Sequence, residues 1–139
     1  MLTPKKVKHR KWQRDRRNFS KPLPESRGTG LDFGSFGIKS LEYGRVTSNQ
    51  IESARKVISR YMKKAGKTWI RIFPDRPITK KPPEVRMGKG KGDPVGYCFE
   101  VRPGRVIFEI DGLDRDTALL SLKKAGDKLP VKIKIVSRQ

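Results

Sequence analysis

The segment 86–92, Arg-Met-Gly-Lys-Gly-Lys-Gly, combines residue types that contact phosphate groups. Glycine lets the backbone approach a phosphate closely, and Lys89 and Lys91 each supply a positive charge. Arg86 can bind a phosphate through two donors or stack on a base. Met87 is the one large apolar side chain near the tip. The segment therefore predicts a loop that contacts a polyanion.

The same segment does not match the motifs of nucleotide-binding enzymes. A P-loop needs a serine or threonine directly after a Gly-Lys pair, and none follows here. A dinucleotide fingerprint needs G-x-G-x-x-G after a strand, whereas the spacing here is G-x-G-x-G. Residues 34–37 match the GXXG of KH domains, but their flanking pattern differs. The spacing favours a binding loop over an enzyme site.

Catalytic and metal-binding side chains are scarce. Cys98 is the only cysteine, which excludes an internal disulfide and a cysteine-cluster metal site. His9 is the only histidine, so a histidine-based zinc site or catalytic triad lacks parts. The acidic side chains near the loop look structural: Asp75, Glu84, Asp93 and Glu100. We expect a non-enzymatic protein without cofactor or metal, in a reducing, cytoplasmic-type compartment.

The chain has 34 basic and 14 acidic side chains, which gives a net charge of +20. Such an imbalance opposes a compact fold because like charges repel, and a polyanionic partner would offset this repulsion. Residues 1–30 hold ten basic and two acidic side chains, and residues 76–92 hold six and one. Residues 93–139, with nine and seven, are nearly balanced. We therefore predict two separate polyanion-contacting segments, an N-terminal arm and a loop.

Nucleic acid is the first candidate for this partner, and an anionic membrane surface is the second. No apolar run approaches the roughly 20 residues that a membrane-spanning helix needs. No apolar segment follows the basic N-terminus, so a secretory signal is not expected. The sequence favours nucleic acid over a membrane.

Prolines and glycines divide the chain into an arm and a domain. In residues 1–30 they interrupt any regular element, which predicts a basic arm. Trp12 and Phe19 can either pack this arm on the domain or stack on bases, and packing is slightly favoured. Residues 31–139 are predicted to form one domain that includes a loop over 76–92. Because most connections are much shorter, a loop of this length suggests a function.

Hydrophobic periodicity predicts two helices. The first begins after Thr47, in a capping box, and Gly66 fits the position just past its end. The second runs from Asp114 or Asp116 to about Lys124. Three leucines of the second helix are predicted to face the core: Leu119, Leu120 and Leu122.

Alternating and β-branched segments predict strands and an α+β fold. The predicted strands are 33–42, 67–73, 95–101, 106–110 and 131–135. The third and fourth are predicted to pair across a hairpin turn at residues 102–105. Alternating lysines make the last strand edge-like. The expected architecture is two helices packed on a mainly antiparallel sheet.

Several short segments are specific enough to indicate a family. They are Met1-Leu-Thr-Pro-Lys, Phe33-Gly-Ser-Phe-Gly-Ile-Lys, Gln50-Ile-Glu-Ser-Ala-Arg, Trp69-Ile-Arg-Ile-Phe-Pro-Asp-Arg-Pro-Ile-Thr-Lys-Lys-Pro, Val85-Arg-Met-Gly-Lys-Gly-Lys-Gly, Pro103-Gly and Lys128-Leu-Pro-Val-Lys. In this order, and over nearly the whole chain, they resemble bacterial large-subunit ribosomal protein sixteen, of the family shared with the archaeal and eukaryotic L-ten-e proteins. The segment 13–27 differs from the usual arm of that family.

The resemblance implies an α/β hammerhead-like domain that is a structural constituent of the large ribosomal subunit. It implies binding to large-subunit rRNA below the central protuberance. It also implies contact with aminoacyl-site tRNA through residues 86–92. Whether these residues also contact peptidyl-site tRNA is an open alternative. The implied partners are rRNA, tRNA and neighbouring large-subunit proteins, without a homo-oligomer or a membrane. A cytoplasmic ribosome is implied, and an organellar ribosome is left open.

The resemblance and the charge pattern together assign candidate site residues. Those expected to bind rRNA are Lys5, Lys6, Lys8, Arg10, Lys11, Arg14, Arg16, Arg17, Lys39, Arg45, Arg55 and Lys56. Those expected to face tRNA are Arg76, Lys80, Lys81, Arg86, Met87, Lys89 and Lys91. The alternative is a free RNA- or DNA-binding chaperone or nucleoid-type protein. It shares the charge but does not predict a proline-stiffened loop that ends in Gly-Lys repeats.

Overall fold

Two α-helices and seven β-strands form the regular structure of residues 1–14, 21 and 23–138, which the computed structural model describes. In chain order these elements are β1 (Phe36–Ser40), β2 (Gly44–Thr47), α1 (Ser48–Met62), β3 (Lys67–Ile70), β4 (Arg76–Lys80), β5 (Asp93–Val101), β6 (Val106–Asp111), α2 (Arg115–Gly126) and β7 (Ile133–Ser137). The sequence-based prediction lacks β2 and β4. The predicted arm residues Arg16, Arg17 and Phe19 lie outside the described residues.

The strands form two antiparallel sheets, which confirms the predicted α+β class. One sheet has the order β3-β6-β1-β7, with β7 at an edge as predicted, and the other has the order β2-β5-β4. α1 packs against β2 and β3, and α2 packs against β1, β7 and α1. The core contains Ile38, Ile58, Phe108 and Leu122, all fully buried. Each such side chain contributes roughly 1.5–3 kcal/mol of burial free energy, which holds the layers together.

The start of α1 agrees with the prediction, but its end does not. The Thr47 hydroxyl accepts a hydrogen bond from the Gln50 backbone (3.5 Å), and the Gln50 side chain accepts one from the Thr47 backbone (2.9 Å). This is the predicted capping box. Lys63, at φ 52°, caps the C-terminus, so the placement of Gly66 just past the helix is wrong. A Cβ at Gly66 would lie 2.4 Å from the carbonyl oxygen of Asp111, so glycine lets β3 start close to β6.

α2 also begins at a predicted residue. Asp114 is the N-cap, and its carboxylate accepts a hydrogen bond from the Thr117 backbone at 3.1 Å. Leu122 is fully buried and Leu119 is half-buried, but Leu120 is 46% exposed. The prediction that Leu120 faces the core is therefore wrong. Buried positions of a helix recur at intervals of three and four residues, so a residue two positions before Leu122 points away from the core.

The predicted pairing of β5 with β6 is wrong. Residues 102–105 do form a turn, in which the Arg105 backbone donates to the Arg102 carbonyl at 3.1 Å and Gly104 has φ 96°. However, the turn passes the chain from one sheet to the other. β5 pairs with β2 and β4, and β6 pairs with β1 and β3. Because each strand already has a partner on both sides, neither has a free edge for the other.

The predicted loop over 76–92 is in part a strand. Arg76–Lys80 forms β4 and pairs with β5, so only residues 81–92 connect the two strands. β4 is the edge strand of its sheet, and Pro77 is tolerated there because an edge residue need not donate to a neighbouring strand. The connection is therefore a β-hairpin with an extended tip.

A buried carboxylate, that of Glu109 in β6, fixes the segment before β1. Its two oxygens accept backbone hydrogen bonds from Asp32 (3.2 Å), Phe33 (2.7 Å) and Gly34 (2.7 Å), and they also bind the guanidinium of Arg71. Burial by itself raises the pKa of Glu109, but these hydrogen bonds outweigh it and keep the pKa below its ordinary value. The carboxylate of Glu109 is therefore charged, and hydrogen-bond donors of the protein take the place of the water that would surround it in solution.

Candidate nucleic-acid interface

The β4–β5 hairpin carries most of the predicted loop residues away from the core. Its base closes tightly, since Lys80 pairs with Asp93 and a Cβ at Gly92 would lie 2.7 Å from the Lys80 carbonyl carbon. Inside the tip, the Lys81 ammonium donates to the Gly88 carbonyl at 2.5 Å. The tip is thus a hairpin end with an internal hydrogen bond.

The far end of the tip has an unusual backbone and exposed side chains. Gly88, Lys89 and Gly90 have φ values of 99°, 55° and 93°, so three consecutive residues are left-handed. Glycine adopts this conformation without steric cost, but a lysine does not. Met87 is 98% exposed, and Arg86 and Lys89 are also exposed. The tip therefore exposes the cations Arg86 and Lys89 together with the apolar side chain of Met87, and Val85 beside them is 51% exposed.

The N-terminal arm lies against the base of this hairpin. Lys11 donates to the Lys91 carbonyl at 3.1 Å, and Lys91 donates in return to the Trp12 carbonyl. Arg76 donates to the Gln13 carbonyl at 2.8 Å. Arm and hairpin are thus joined by three hydrogen bonds in which lysine and arginine side chains serve as donors and backbone carbonyls as acceptors.

One exposed carboxylate reduces the repulsion at this junction. Asp93 lies 3.4 Å from Arg10 and 3.5 Å from Lys11. Exposed ion pairs of this kind contribute at most about 1 kcal/mol each. The two basic segments of the prediction are therefore in contact, because residues 10–13 and the hairpin base form one surface. We call this set, residues 10–13 with Arg76, Lys91 and Asp93, the arm–hairpin junction.

Besides Arg10, three further arginines of the predicted site are ion-paired within the protein. Arg45 in β2 and Arg76 in β4 bind the two carboxylate oxygens of Glu100 in β5, at 3.0 and 3.1 Å. Arg55 binds Glu52 at 2.6 Å on the surface of α1. Burial lowers the pKa of Arg45, but its hydrogen bonds, including the one with Glu100, outweigh burial and raise the pKa above the ordinary value. These pairs fix arginines on the sheet β2-β5-β4 and on the surface of α1.

The remaining predicted residues differ in exposure. Lys39 and Lys81 are half-buried. The exposed ones are Lys5, Lys6, Lys8, Arg14, Lys56 and Lys80. The sequence interpretation did not assign Gln13 to a site, and it treated Asp93 and Glu100 as structural acids without naming the arginines and lysines that they bind. The position of Asp93 directly after the Gly-Lys repeat was the one available signal that an acid closes the hairpin.

The described residues form neither a metal-ligand cluster nor a membrane-spanning helix. Within residues 1–14, 21 and 23–138, no three histidine, cysteine, aspartate or glutamate side chains come together as metal ligands. The helices of that part of the chain are too short or too polar to cross a membrane.

Comparisons with known proteins agree with the resemblance seen in the sequence. The model of the family described as ribosomal protein L16p/L10e matches residues 4–136. The chain is also similar to the large ribosomal subunit protein uL16 of Parabacteroides distasonis, at 54% identity over 139 residues. That alignment covers 100% of this chain and 94% of the relative.

Proposed function

We propose that this chain, which belongs to the ribosomal protein L16p/L10e family, binds rRNA through its arm and junction and tRNA through its hairpin tip. Members of that family are structural, non-enzymatic constituents of the large ribosomal subunit. As a ribosomal protein it is located on the ribosome, which in bacteria lies in the cytoplasm. The proposed place is below the central protuberance, beside the aminoacyl-tRNA site, in contact with neighbouring large-subunit proteins.

The observation that carries this proposal is the convergence of the arm on the hairpin base. A partner that binds the arm also meets the base of the tip, since residues 10–13 touch Lys91, Asp93 and Arg76. The exposed lysines of the arm, Lys5, Lys6 and Lys8, extend this cationic surface. Phosphate contacts of this kind position a protein on RNA without reading sequence, so the shape of the RNA decides specificity.

The tip supports the second half of the proposal. It follows β4 and precedes β5, it presents the exposed side chains of Arg86 and Lys89, and its glycines Gly88 and Gly90 add no side chain beside them. Among the residues that the structure describes, and apart from the two chain neighbours, no atom lies within 4 Å of a Cβ built at either glycine. The tip therefore has room for a second RNA, such as tRNA, while the junction is occupied by rRNA.

The test of tRNA contact is the double variant Arg86→Ala with Lys89→Ala. Lys91 is left unchanged because its ammonium binds the Trp12 carbonyl and so holds the arm. We expect normal incorporation into large subunits but weaker aminoacyl-tRNA binding by those subunits, with a salt dependence reduced by roughly 0.7–0.9 log units per lost phosphate contact. Normal tRNA affinity of such subunits would contradict the proposal.

A matched control removes the same charge elsewhere. Lys123→Ala with Lys124→Ala changes two exposed lysines near the end of α2, remote in sequence from the arm and hairpin. This control should leave tRNA binding unchanged. Deletion of residues 2–14 should instead reduce incorporation, because it removes the arm from the junction. Subunits that retain the truncated chain at high salt would contradict the assignment of rRNA binding to the arm.

A further inference from the structure

An open cleft of about 410 Å³ lies at the arm–hairpin junction. It is lined by His9, Lys11, Trp12, Gln13 and Arg76. The lining combines an indole, two cations, an imidazole and a side-chain amide. This mixture suits a ligand that is flat and aromatic, has hydrogen-bonding edges and is attached to negative charge.

Trp12 is both fixed and accessible in this cleft. The guanidinium carbon of Arg76 lies 5.3 Å from the indole centroid, which is within the range of a cation–π contact. Nevertheless, 42% of Trp12 is exposed. A tryptophan whose only role was to pack the arm on the domain would be more completely buried than this, because burial is its main source of stability. Trp12 therefore keeps accessible surface that a second flat group can contact.

The backbone on either side of the indole is held in place. The Trp12 carbonyl accepts a hydrogen bond from Lys91, and the next carbonyl, that of Gln13, accepts one from Arg76. Arg76 is in turn bound to Glu100, with its side chain 11% exposed. A ring whose backbone is already ordered loses less conformational entropy when a ligand stacks on it.

We propose that this cleft is a stacking site for one unpaired nucleobase of the bound RNA, with Trp12 as the stacking residue. The proposal rests on the proposed function, since it assumes that RNA runs along the arm–hairpin junction. The base stacks on the exposed indole, and Lys11 lies near the attached phosphates. The Gln13 amide can donate to and accept from a base edge, and sequence-tolerant stacking on aromatic side chains is a common mode of single-strand binding.

The test uses the full chain and two ligands that differ only in their bases. One is a ten-nucleotide single-stranded RNA, and the other is the abasic ribose-phosphate strand of the same length. The variant Trp12→Leu keeps an apolar side chain but removes the aromatic face, and Trp12→Phe keeps a smaller aromatic face. We expect Trp12→Leu to lower affinity for the base-containing strand roughly tenfold. Affinity for the abasic strand should be unchanged, and Trp12→Phe should fall between wild type and Trp12→Leu.

Two further readouts separate stacking from a purely structural role. The salt dependence of binding should be the same for wild type and Trp12→Leu, because no phosphate contact is lost. In a Trp69→Phe background Trp12 is the only tryptophan. Its fluorescence should be quenched by the base-containing strand and not by the abasic strand.

The outcomes that overturn the proposal are distinct from a failure of RNA binding itself. If Trp12→Leu loses affinity equally for both strands, Trp12 only packs the arm. If Trp12→Leu binds both strands as wild type does, the cleft binds no base. If wild type binds the two strands equally tightly, the base site fails while RNA binding stands. If wild type binds neither strand at low salt, the proposed RNA binding fails as well.

Discussion

Substitution of Glu109 by glutamine should destabilise the protein far more than its small chemical change suggests. One carboxylate oxygen accepts from the backbones of Phe33 and Gly34, and the other accepts from Asp32 and Arg71. In glutamine one oxygen becomes an NH₂ group, so two of these four donors face another donor. The side chain is also fully buried, so water cannot replace the lost acceptor.

The expected loss follows from this geometry. Breaking one side of a buried ion pair costs about 3–5 kcal/mol, because the remaining groups are left uncompensated. Arg71 is 14% exposed and keeps its contact with Asp32, which favours the lower end of that range. For a chain of this size the loss corresponds to a decrease in Tm of roughly 10 °C. Urea unfolding followed by circular dichroism measures the free energy of unfolding directly.

The matched control is Asp32→Asn, which removes an acidic partner from the same arginine. The Asp32 carboxylate lies 2.8 Å from Arg71 but is 63% exposed. Its removal should therefore cost at most about 1 kcal/mol. A Glu109→Gln variant no less stable than Asp32→Asn would refute the reasoning, because burial would then not decide the strength of the pair.

The pH dependence gives a second check on Glu109. Its pKa in the folded protein is below the ordinary value, so its contribution is fully present above the unfolded pKa of about 4.3. The contribution is lost as pH falls through the lower pKa of the folded state. The stability difference between wild type and Glu109→Gln should thus be constant from neutral pH down to about pH 5 and shrink in stronger acid. A difference that grew on acidification would contradict the assigned charge.

Two further predictions concern packing and RNA binding. Gly37→Ala should destabilise the fold by roughly 1–3 kcal/mol in urea unfolding, because its Cβ would lie 2.5 Å from Leu31 and 2.7 Å from the Phe108 carbonyl oxygen. Wild-type stability would show that the segment over the sheet can move. Lys8→Ala should reduce the salt slope of rRNA binding by roughly 0.7–0.9, whereas Arg45→Ala should leave it unchanged, since Lys8 is an exposed lysine of the arm and Arg45 is already ion-paired. Equal slopes for the two variants would mean that the internal pairing does not matter.

The local elements with a sequence signal of their own were predicted well. The capping box at Thr47, the N-cap at Asp114 and the edge position of β7 each depend on residues close together in the chain. The basic hairpin tip was likewise visible, because glycine and lysine alternate over a few residues. Its stem was not recognised as strand, since Pro77 is unusual in strands and only the edge position of β4 permits it.

The sequence could not show which strands pair. The turn at residues 102–105 has the composition of a hairpin, but its two strands belong to different sheets. Pairing is decided by which strand edges are free once all strands are placed. The arm–hairpin junction could not be predicted for a similar reason, because its members, such as Trp12 and Asp93, are about eighty residues apart in the chain.

The sequence by itself indicated a polyanionic partner, because a net charge of +20 and a Gly-Lys tip are properties of composition and short spacing. Together with its resemblance, it also determined the family and the α+β class. Only the tertiary structure decided which cations are available to that partner. It pairs Arg45 and Arg76 with Glu100, and it brings Trp12 and Lys11 against Lys91. The physical reason is that a charge acts through its nearest neighbours, and those neighbours come from distant parts of the chain.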